Sequence, residues 1–319
     1  MKVLICGASG FIGKNLVERF ASSPGCETFA VVHKTPLCKT GVRAVHADLT
    51  RAEDVENAVK GMDVVLQAAA ATSGAKDIVT RPHTLVADNA VMNSLLLRAC
   101  HERRVGHVVF FSCTTMYPSG MAPVRETDFD YAITDKYFGI GWTKVYVEKL
   151  CEFYSRLGRV RHTVIRHSNI YGPHDKFDLE HSHVFGATVA KVLSAGDGRV
   201  VVWGTGAEER DLLYVDDLVD FVQAALARQK TPFELVNVGS GSRISVADLV
   251  RRVIARSGRD LRVEFDPDKP TIPFSLSLDC SLARERFGWT PRTSLDDGID
   301  KTLGWVRQNA PIGGPPTGR

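Results

Sequence analysis

Three glycines near the start of the sequence have a spacing that could bind an anion. Gly7, Gly10 and Gly13 follow the apolar run Val3–Cys6, and an amphipathic segment comes after them. Between a buried strand and a helix, the first glycine permits a tight turn. The second lets backbone N–H groups approach a pyrophosphate, and the third lets the helix pack on the strand. The helix N-terminus adds unpaired N–H groups and a positive dipole end.

This turn is therefore predicted to bind a dinucleotide, and a glycine-rich structural turn without a ligand is the alternative. The predicted contacts come from Gly7, Ser9, Gly10, Phe11, Ile12 and Gly13.

The elements around this turn alternate between apolar strands and amphipathic helices. The strand candidates are Val3–Cys6, Thr28–Val32, Val42–His46, Val64–Ala68, Val108–Ser112 and Thr163–Arg166. The helices between them are predicted at Phe11–Phe20, Ala52–Val59, Asn89–His101 and Trp142–Arg156. Apolar strands separated by helices indicate a parallel sheet that is covered on both faces. The predicted fold class is α/β, with a Rossmann-type doubly wound parallel sheet and a smaller α/β substrate-binding lobe.

The second half of the sequence is less regular and predicts the smaller lobe. Its helices are expected at Val184–Ser194, Val215–Arg228, Ser245–Ser257 and Leu295–Asn309, and its strands at Val200–Trp203, Glu234–Val238 and Leu261–Phe265. Residues 1–170 are predicted to form the dinucleotide-binding domain, which is rejoined by about 213–240. Residues 171–212 and 241–308 would form the lobe, over the carboxyl edge of the sheet. Residues 309–319 are predicted to be a disordered tail.

The balance of charged residues gives no indication of a strongly charged partner. The 319 residues include 40 Lys plus Arg and 37 Asp plus Glu, a net charge of +3, so neither nucleic acid nor a membrane is indicated. The apolar runs are far shorter than the roughly 20 residues of a membrane span, and Val3–Cys6 is too short for a signal peptide. Seven scattered cysteines without a CxxC pair predict reduced thiols in a cytoplasmic protein.

The end of the second strand bears on the choice of cofactor. His33 and Lys34 stand there, where a carboxylate would hold a ribose 2′-hydroxyl. Cationic or neutral groups suit a 2′-phosphate, so NADP is favoured and NAD stays possible. The alternative is that both are solvated loop residues. Asp48 and Leu49 are predicted to border the adenine, and Ala68, Ala69 and Ala70 to let the backbone pass beside the cofactor.

Several further segments carry a resemblance to a known family. They are Asp48–Thr50, Ala68–Ala70, Cys113–Tyr117, Lys144, Arg166–Pro173, Tyr171–Phe177, Val201–Gly206, Tyr214–Asp217, Val236–Gly241 and Phe287–Trp289. With the glycine turn, they resemble the extended short-chain dehydrogenase/reductases that act on nucleotide sugars (the NAD-dependent epimerase/dehydratase family). Within that family the chain is most similar to the GDP-L-fucose synthase branch. The resemblance covers the chain apart from its tail.

The resemblance implies roles for individual residues. Lys144 matches the lysine that binds the nicotinamide ribose and lowers the pKa of a neighbouring phenol. His183 matches a general acid in epimerisation, with a loop hydrogen bond as the alternative. Further cofactor contacts are implied at Asn89, Ser112, His167, Asn169 and Ile170. Substrate contacts are implied at Asn169, His183, Val184, Lys191, Trp203 and Arg210. Arg210 offers a fork for phosphate, and Trp203 a flat face for a base or sugar. No metal site is predicted, although His174, His181 and His183 are spaced closely.

The chain departs from the family pattern at the catalytic phenol. The family tyrosine precedes the lysine by four residues, one helical turn. That position is Ile140, which cannot exchange a proton. Tyr137 could replace it if Gly139 and Gly141 let the chain bulge. Alternatively, no tyrosine acts.

A second departure lies where the strand Val108–Ser112 ends. Counting back from Tyr117, the family's substrate-binding Ser or Thr falls on Cys113, and the fucose synthase cysteine base falls on Thr115. A thiolate at Cys113 could remove a proton next to a keto group, and a buried structural thiol is the alternative. Residues 270–275 also lack the basic pair of the fucose synthase pattern.

The predicted function is epimerisation, NADP(H)-dependent reduction, or both, on a nucleoside-diphosphate 4-keto-6-deoxyhexose or related nucleotide sugar, with GDP favoured. The acid and base groups would come from Cys113, Thr115, Tyr137 and His183, with Lys144 beside them. A homodimer is implied, formed by the helices that carry Lys144 and Asn89. One alternative is a nucleotide-sugar and NADP-binding protein with weakened or lost redox activity. The other, a 4,6-dehydratase, is disfavoured because Thr114 and Thr115 replace its acidic pair.

Overall fold

The computed structural model of the protein describes residues 1–37, 39–71, 83–120, 123–179, 182–269, 271 and 274–309. His181 and the predicted tail beyond residue 309 lie outside the described residues.

A seven-stranded parallel sheet forms the centre of the molecule. Its strands are β1 (Lys2–Cys6), β2 (Glu27–Val32), β3 (Val42–His46), β4 (Val64–Gln67), β5 (His107–Phe111), β6 (Arg161–His167) and β11 (Phe233–Val238). Their order across the sheet is β11-β6-β5-β4-β1-β2-β3. Because β1 lies between β2 and β4, the chain reverses its direction of winding between β1 and β4, and ligands bind at such a point. The predicted α/β fold class is confirmed.

Helices cover both faces of this sheet. In chain order they are α1 (Phe11–Ala21), α2 (Ala52–Val59), α3 (His83–Glu102), α4 (Phe138–Arg156), α5 (Val184–Ser194), α6 (Val215–Arg228), α7 (Val246–Ser257), α8 (Ser281–Phe287) and α9 (Leu295–Asn309). Single 3₁₀ turns lie at Glu126–Asp128 and Asp135–Tyr137. The central strand β1 is apolar from Val3 to Cys6 because both of its faces are buried: Val3, Leu4, Ile5 and Cys6 have no exposed surface.

Short strand pairs form beyond the central sheet. The remaining strands are β7 (Asn169–Tyr171), β8 (Arg199–Trp203), β9 (Glu209–Arg210), β10 (Leu212–Tyr214), β12 (Ile244–Ser245) and β13 (Arg262–Asp266). β8 pairs with β13 in parallel, and β9 pairs with β12 antiparallel. A hydrophobic cluster from α5, α7, α9 and β8 holds these elements together. β11 lies at one edge of the central sheet, and the division of the chain into two lobes remains a prediction.

Two helices begin earlier than the sequence predicted. α3 begins at His83 rather than Asn89, and α4 begins at Phe138 rather than Trp142. The extra turn of α4 holds two glycines because neighbouring side chains come close. A Cβ on Gly139 would lie 2.9 Å from Val86 Cγ2, and one on Gly141 would lie 2.9 Å from Ile133 Cγ2. The predicted bulge at Gly139 and Gly141 is therefore wrong, since both lie inside a continuous helix.

Candidate active site

The glycine turn packs so closely on its surroundings that two positions exclude a side chain. Gly7 has φ +75°, and a Cβ there would lie 2.7 Å from the Ala69 backbone at the end of β4. A Cβ on Gly13 would lie 2.0 Å from the Gly7 carbonyl oxygen. Gly10 precedes α1, whose first turn carries no acidic residue. The turn fits a dinucleotide, because its backbone N–H groups and the positive end of α1 face a cradle without side chains.

The segment that follows β4 is held in place by Asn89. The Asn89 side chain accepts a hydrogen bond from the Ala71 N–H at 3.0 Å and donates one to the Ala71 carbonyl at 3.0 Å. Asn89 is only 5% exposed. It therefore fixes the path of Ala68, Ala69 and Ala70, and its direct contact with the cofactor remains a prediction.

The end of β2 carries the residues predicted to select the cofactor. His33 and Lys34 are exposed, and His33 Nε2 lies 3.8 Å from Asp48 Oδ2. Thr50 donates two hydrogen bonds to the Asp48 carboxylate, and these lower its pKa. Leu49 is buried beside it. The ionised Asp48 faces His33, whereas Lys34 forms no ion pair with any residue in the described part of the chain.

Lys144 lies on α4 and points toward the end of β5. Its Nζ donates a hydrogen bond of 2.9 Å to the Phe111 carbonyl and lies 4.9 Å from the centroid of the Phe110 ring. Burial lowers the pKa of Lys144, and its interactions with Cys113 and Glu148 oppose that shift. The ionisable groups next to Lys144 are thus a thiol and a buried carboxylate.

Tyr137 lies directly before α4, and Ile140 lies one helical turn before Lys144. The Tyr137 ring meets the Phe274 ring edge-on at 6.3 Å. Burial raises the pKa of Tyr137, with a lowering contribution from Arg210 and a raising one from Cys113. The Arg210 guanidinium donates a hydrogen bond to the carbonyl of the same Phe274, so Tyr137 and Arg210 meet at this residue.

Cys113 and Thr115 follow β5 and face the same side of the chain. Cys113 Sγ lies 3.0 Å from Thr115 Oγ1, within hydrogen-bond distance for sulfur, and both residues are half-buried. The hydroxyl can orient the thiol, so both predicted polar groups meet at the end of one strand.

A buried polar network, which sequence reasoning missed, lies behind these residues. Arg166 on β6 forms an ion pair of 2.6 Å with Glu148 on α4. Arg166 also donates to the Tyr117 hydroxyl, which donates to Asn237 Oδ1 on β11. Ser112 donates a hydrogen bond of 2.5 Å to Glu148 and is 1% exposed. The Ser112 hydroxyl is thus engaged inside the protein, and its predicted cofactor contact remains untested.

His167 lies at the end of β6, and His183 lies directly before α5. His167 is half-buried, and its Nδ1 donates to the Ser168 carbonyl at 2.8 Å. The pKa of His167 falls to about 4 mainly because of burial, and Lys144 and His183 contribute in the same direction. His183 is exposed and occupies the N-cap position of α5 without a capping hydrogen bond from its side chain.

The predicted substrate-binding residues come from the smaller lobe. Lys191 Nζ lies 5.1 Å from the Trp203 ring centroid and donates to the Val201 carbonyl, and Trp203 is 47% exposed. The Arg210 guanidinium donates to the Phe274 carbonyl, and burial lowers its pKa. The ammonium of Lys191 and the guanidinium of Arg210 suit a diphosphate, and the open ring face of Trp203 suits a nucleoside base or sugar.

Other predicted positions form the framework under these groups. The Asn169 side chain donates to the Asp211 carbonyl at 3.3 Å, and Ile170 is 8% exposed. His174 pairs with Glu18 on α1 and packs against Trp305, so its contacts are not with Cys113, Tyr137 or Lys144. Among the described residues, no three His, Cys, Asp or Glu side chains are grouped to hold a metal ion.

Known proteins match this chain over nearly its full length. The model of the NAD dependent epimerase/dehydratase family matches residues 3–239. GDP-L-fucose synthase 1 of Arabidopsis thaliana is 30% identical, over 97% of this chain and 94% of that protein. The dTDP-4-dehydro-6-deoxy-D-allose reductase of a Streptomyces species is 28% identical, over 96% of each. MoeE5, solved with UDP-glucuronic acid and NAD, has a TM-score of 0.84 at 25% identity and covers 97% of this chain and 99% of that one.

Within the described residues, no helix is long and apolar enough to cross a membrane.

Proposed function

This chain belongs to the NAD dependent epimerase/dehydratase family, and from that premise we propose that it epimerises, reduces, or both, a nucleoside-diphosphate 4-keto-6-deoxyhexose with NADP(H). GDP is the favoured nucleotide, because GDP-L-fucose synthase 1 is a relative that is 30% identical. The dTDP-sugar reductase and the UDP-sugar complex keep other nucleotides open. The NAD in that complex keeps NAD as the alternative cofactor.

The observation that carries the proposal is that Lys144 bonds to the end of β5, from which Cys113 follows, while Tyr137 and Arg210 both contact Phe274. Lys144 belongs to the predicted nicotinamide end of the site, and Arg210 belongs to the predicted diphosphate end. A sugar that spans them places a ring carbon near the Cys113 thiol. The bound nicotinamide supplies hydride transfer to or from a sugar carbon.

The acid-base chemistry then falls to Cys113 and His183. A proton on the carbon next to a carbonyl is removed by one of them, and the other returns a proton to that carbon. Lys144, whose Nζ bonds to the carbonyl of Phe111, brings a positive charge to the strand end from which Cys113 follows. Tyr137, which contacts Phe274 together with Arg210, positions the sugar with its phenol. Thr115 orients the thiol through its hydroxyl.

Proton exchange at the sugar carbon tests this proposal directly. The protein is incubated in heavy water with a GDP-4-keto-6-deoxyhexose, with and without NADPH, and the product is followed by NMR. Deuterium at a carbon beside the keto group supports epimerisation, and oxidation of NADPH at 340 nm supports reduction. Cys113→Ser should lower the exchange by about two orders of magnitude, whereas the matched control Cys26→Ser, at the start of β2, should leave it unchanged. Full exchange in Cys113→Ser would remove the thiol from the mechanism.

One observation favours the second candidate, a binding protein without redox turnover. Ile140 occupies the helical position one turn before Lys144, where the family has its phenol. This candidate predicts that NADPH and the nucleotide sugar bind while neither deuterium exchange nor NADPH oxidation occurs. The dehydratase remains disfavoured, because Thr114 and Thr115 supply no carboxyl group.

We also propose a cytoplasmic homodimer formed by α3 and α4. Val91 on α3 and Phe138, Tyr146 and Phe153 on α4 are each 45–57% exposed. Tyr146 and Phe153 follow Phe138 by eight and fifteen positions, which places the three side chains on one face of α4. Phe153→Asp should convert the dimer to a monomer in light-scattering measurements. A wild-type monomer would contradict the proposal.

A further inference from the structure

One buried ion pair holds both ends of the Cys113 segment (residues 113–116). Glu148 on α4 and Arg166 on β6 have side chains that are 2% and 5% exposed, and their charged groups lie 2.6 Å apart. The Glu148 carboxylate accepts a hydrogen bond of 2.5 Å from the Ser112 hydroxyl. Arg166 Nη1 donates one of 2.9 Å to the Tyr117 hydroxyl. Ser112 and Tyr117 are the residues directly before and after the Cys113 segment.

The contacts use separate atoms of the two charged side chains, so both ends can be held at once. Arg166 donates to the Glu148 carboxylate from Nε and Nη2 and to the Tyr117 hydroxyl from Nη1. Glu148 accepts from Ser112 on Oε1 and takes its shortest bond from Arg166 on Oε2. The planar guanidinium fixes the directions of its donors, and a carboxylate can accept several hydrogen bonds. The ion pair therefore forms a rigid link between Ser112 and Tyr117.

The same helix also ties Lys144 to the end of β5. Lys144 lies one turn before Glu148, and its Nζ donates a hydrogen bond of 2.9 Å to the Phe111 carbonyl. Two side chains of α4 thus hold two consecutive residues, Phe111 and Ser112, and Cys113 comes next. Because these contacts fix the backbone before Cys113, they fix the place from which its side chain extends relative to Lys144.

A buried ion pair of this kind contributes more to position than to stability. Taking two charges out of water is so costly that apolar side chains of similar volume often replace such a pair without loss of stability. Here the pair adds a defined path for the Cys113 segment, in which Cys113 Sγ lies 3.0 Å from Thr115 Oγ1. A displacement of about 1 Å in a reacting group can lower a rate about a hundredfold. Holding this path therefore matters most for chemistry at Cys113.

We propose that Glu148 and Arg166 are positioning residues, whose ion pair holds the Cys113 segment in the path that lets the thiol reach the sugar carbon. The inference rests on the proposed function, in which Cys113 exchanges a proton with the sugar, and adds two residues to it. Arg210 and the glycine turn, which are predicted to bind the substrate and the cofactor, lie on other elements. Loss of the ion pair should therefore lower kcat and leave the KM of the sugar and the binding of NADPH unchanged.

A double substitution separates positioning from stability. Glu148→Met combined with Arg166→Met leaves no buried charge, so the midpoint of urea unfolding should recover most of what Glu148→Met alone loses. The kcat of deuterium exchange should still be about a hundredfold below that of the wild type, at constant KM. The matched control places the same two substitutions at Asp300 and Arg256, an exposed pair between α9 and α7, and should keep the wild-type kcat. Wild-type kcat in a stable Glu148→Met, Arg166→Met protein would overturn the proposal.

Tyr117→Phe provides a variant that leaves no charge unpaired. It removes the hydroxyl at one end of the Cys113 segment and keeps the ring and the Glu148–Arg166 ion pair. Its kcat should fall severalfold at constant KM. If the double variant does not fold, an unchanged kcat in Tyr117→Phe overturns the proposal.

The alkylation rate of Cys113 by iodoacetamide, followed by peptide mass spectrometry, tests the inference without turnover. Cys26, which is also partly exposed, serves as the reference thiol in the same protein. Cys113 should react severalfold faster in both the double variant and Tyr117→Phe, because the released segment uncovers its thiol, while Cys26 reacts as before. Unchanged rates at Cys113 would overturn the inference even if the wild type turns over the sugar. Faster alkylation together with no exchange in any protein would leave the inference standing and remove the proposed reaction.

Discussion

Replacing His162 by phenylalanine should make the folded protein less sensitive to acid. His162 has no exposed surface, and its Nδ1 donates a hydrogen bond of 3.1 Å to the Val160 carbonyl. Its Nε2 is buried without a partner among the described residues. A proton on Nε2 would therefore bring a charge into the protein interior without an acceptor. Burial accordingly lowers the pKa of His162 to about 4.

The size of the effect follows from this pKa. A histidine titrates near 6.5 in the unfolded chain, so between about pH 6.5 and about pH 4 the unfolded state binds the proton that the folded state refuses. The contribution of His162 is complete above pH 6.5 and is lost as the pH falls through this window. At about pH 5 the loss is about 2 kcal/mol, or 1.5 pKa units at about 1.4 kcal/mol each.

Urea unfolding at about pH 7.5 and about pH 5, followed by circular dichroism, measures this loss. Asp175 acts in the opposite direction, because burial raises its pKa to about 7. The test is therefore the difference in pH dependence between the wild type and His162→Phe. The wild type should lose about 2 kcal/mol more than the variant over this range. An equal loss in both proteins would refute the reasoning.

Three further predictions follow from close contacts. Gly13→Ala should abolish NADPH binding and lower the melting temperature, because its Cβ would lie 2.0 Å from a carbonyl oxygen. Gly304→Ala, which meets nothing within 4 Å, should keep binding and not lower the melting temperature. Glu148→Ala should cost about 3–5 kcal/mol in urea unfolding by leaving the Arg166 charge buried and unpaired, and an added Arg166→Met should recover much of that. Tyr137→Phe should raise KM several-fold with little change in kcat, and a fall in kcat at constant KM would instead make Tyr137 the catalytic acid.

The glycine turn and the parallel sheet could be predicted because their signals are local. Gly7, Gly10 and Gly13 lie within one strand–turn–helix unit, so their spacing fixes their geometry. The absence of a phenol at Ile140 was also readable, since counting four residues along one helix needs no tertiary information.

Contacts between distant segments could not be predicted in this way. Glu148 and Arg166 meet only because α4 packs on β6, and the sequence around either residue does not predict their ion pair. The neighbours of Lys144 were likewise unpredictable, because β5 brings Cys113 beside it from 31 positions away. The one signal for Glu148 was its spacing of four residues from Lys144, which places both on neighbouring parts of α4.

The tight packing of the glycine turn has a consequence for the energetics of cofactor binding. Gly7 rests on the backbone of Ala69, Gly13 rests on Gly7, and Asn89 fixes Ala71, so the loop is held by contacts within the protein. The loop should therefore lose little conformational entropy when it binds a pyrophosphate, and its N–H groups need no rearrangement. Binding should be a nearly rigid-body event on this side of the site, with an association rate that depends on charge and diffusion more than on loop closure.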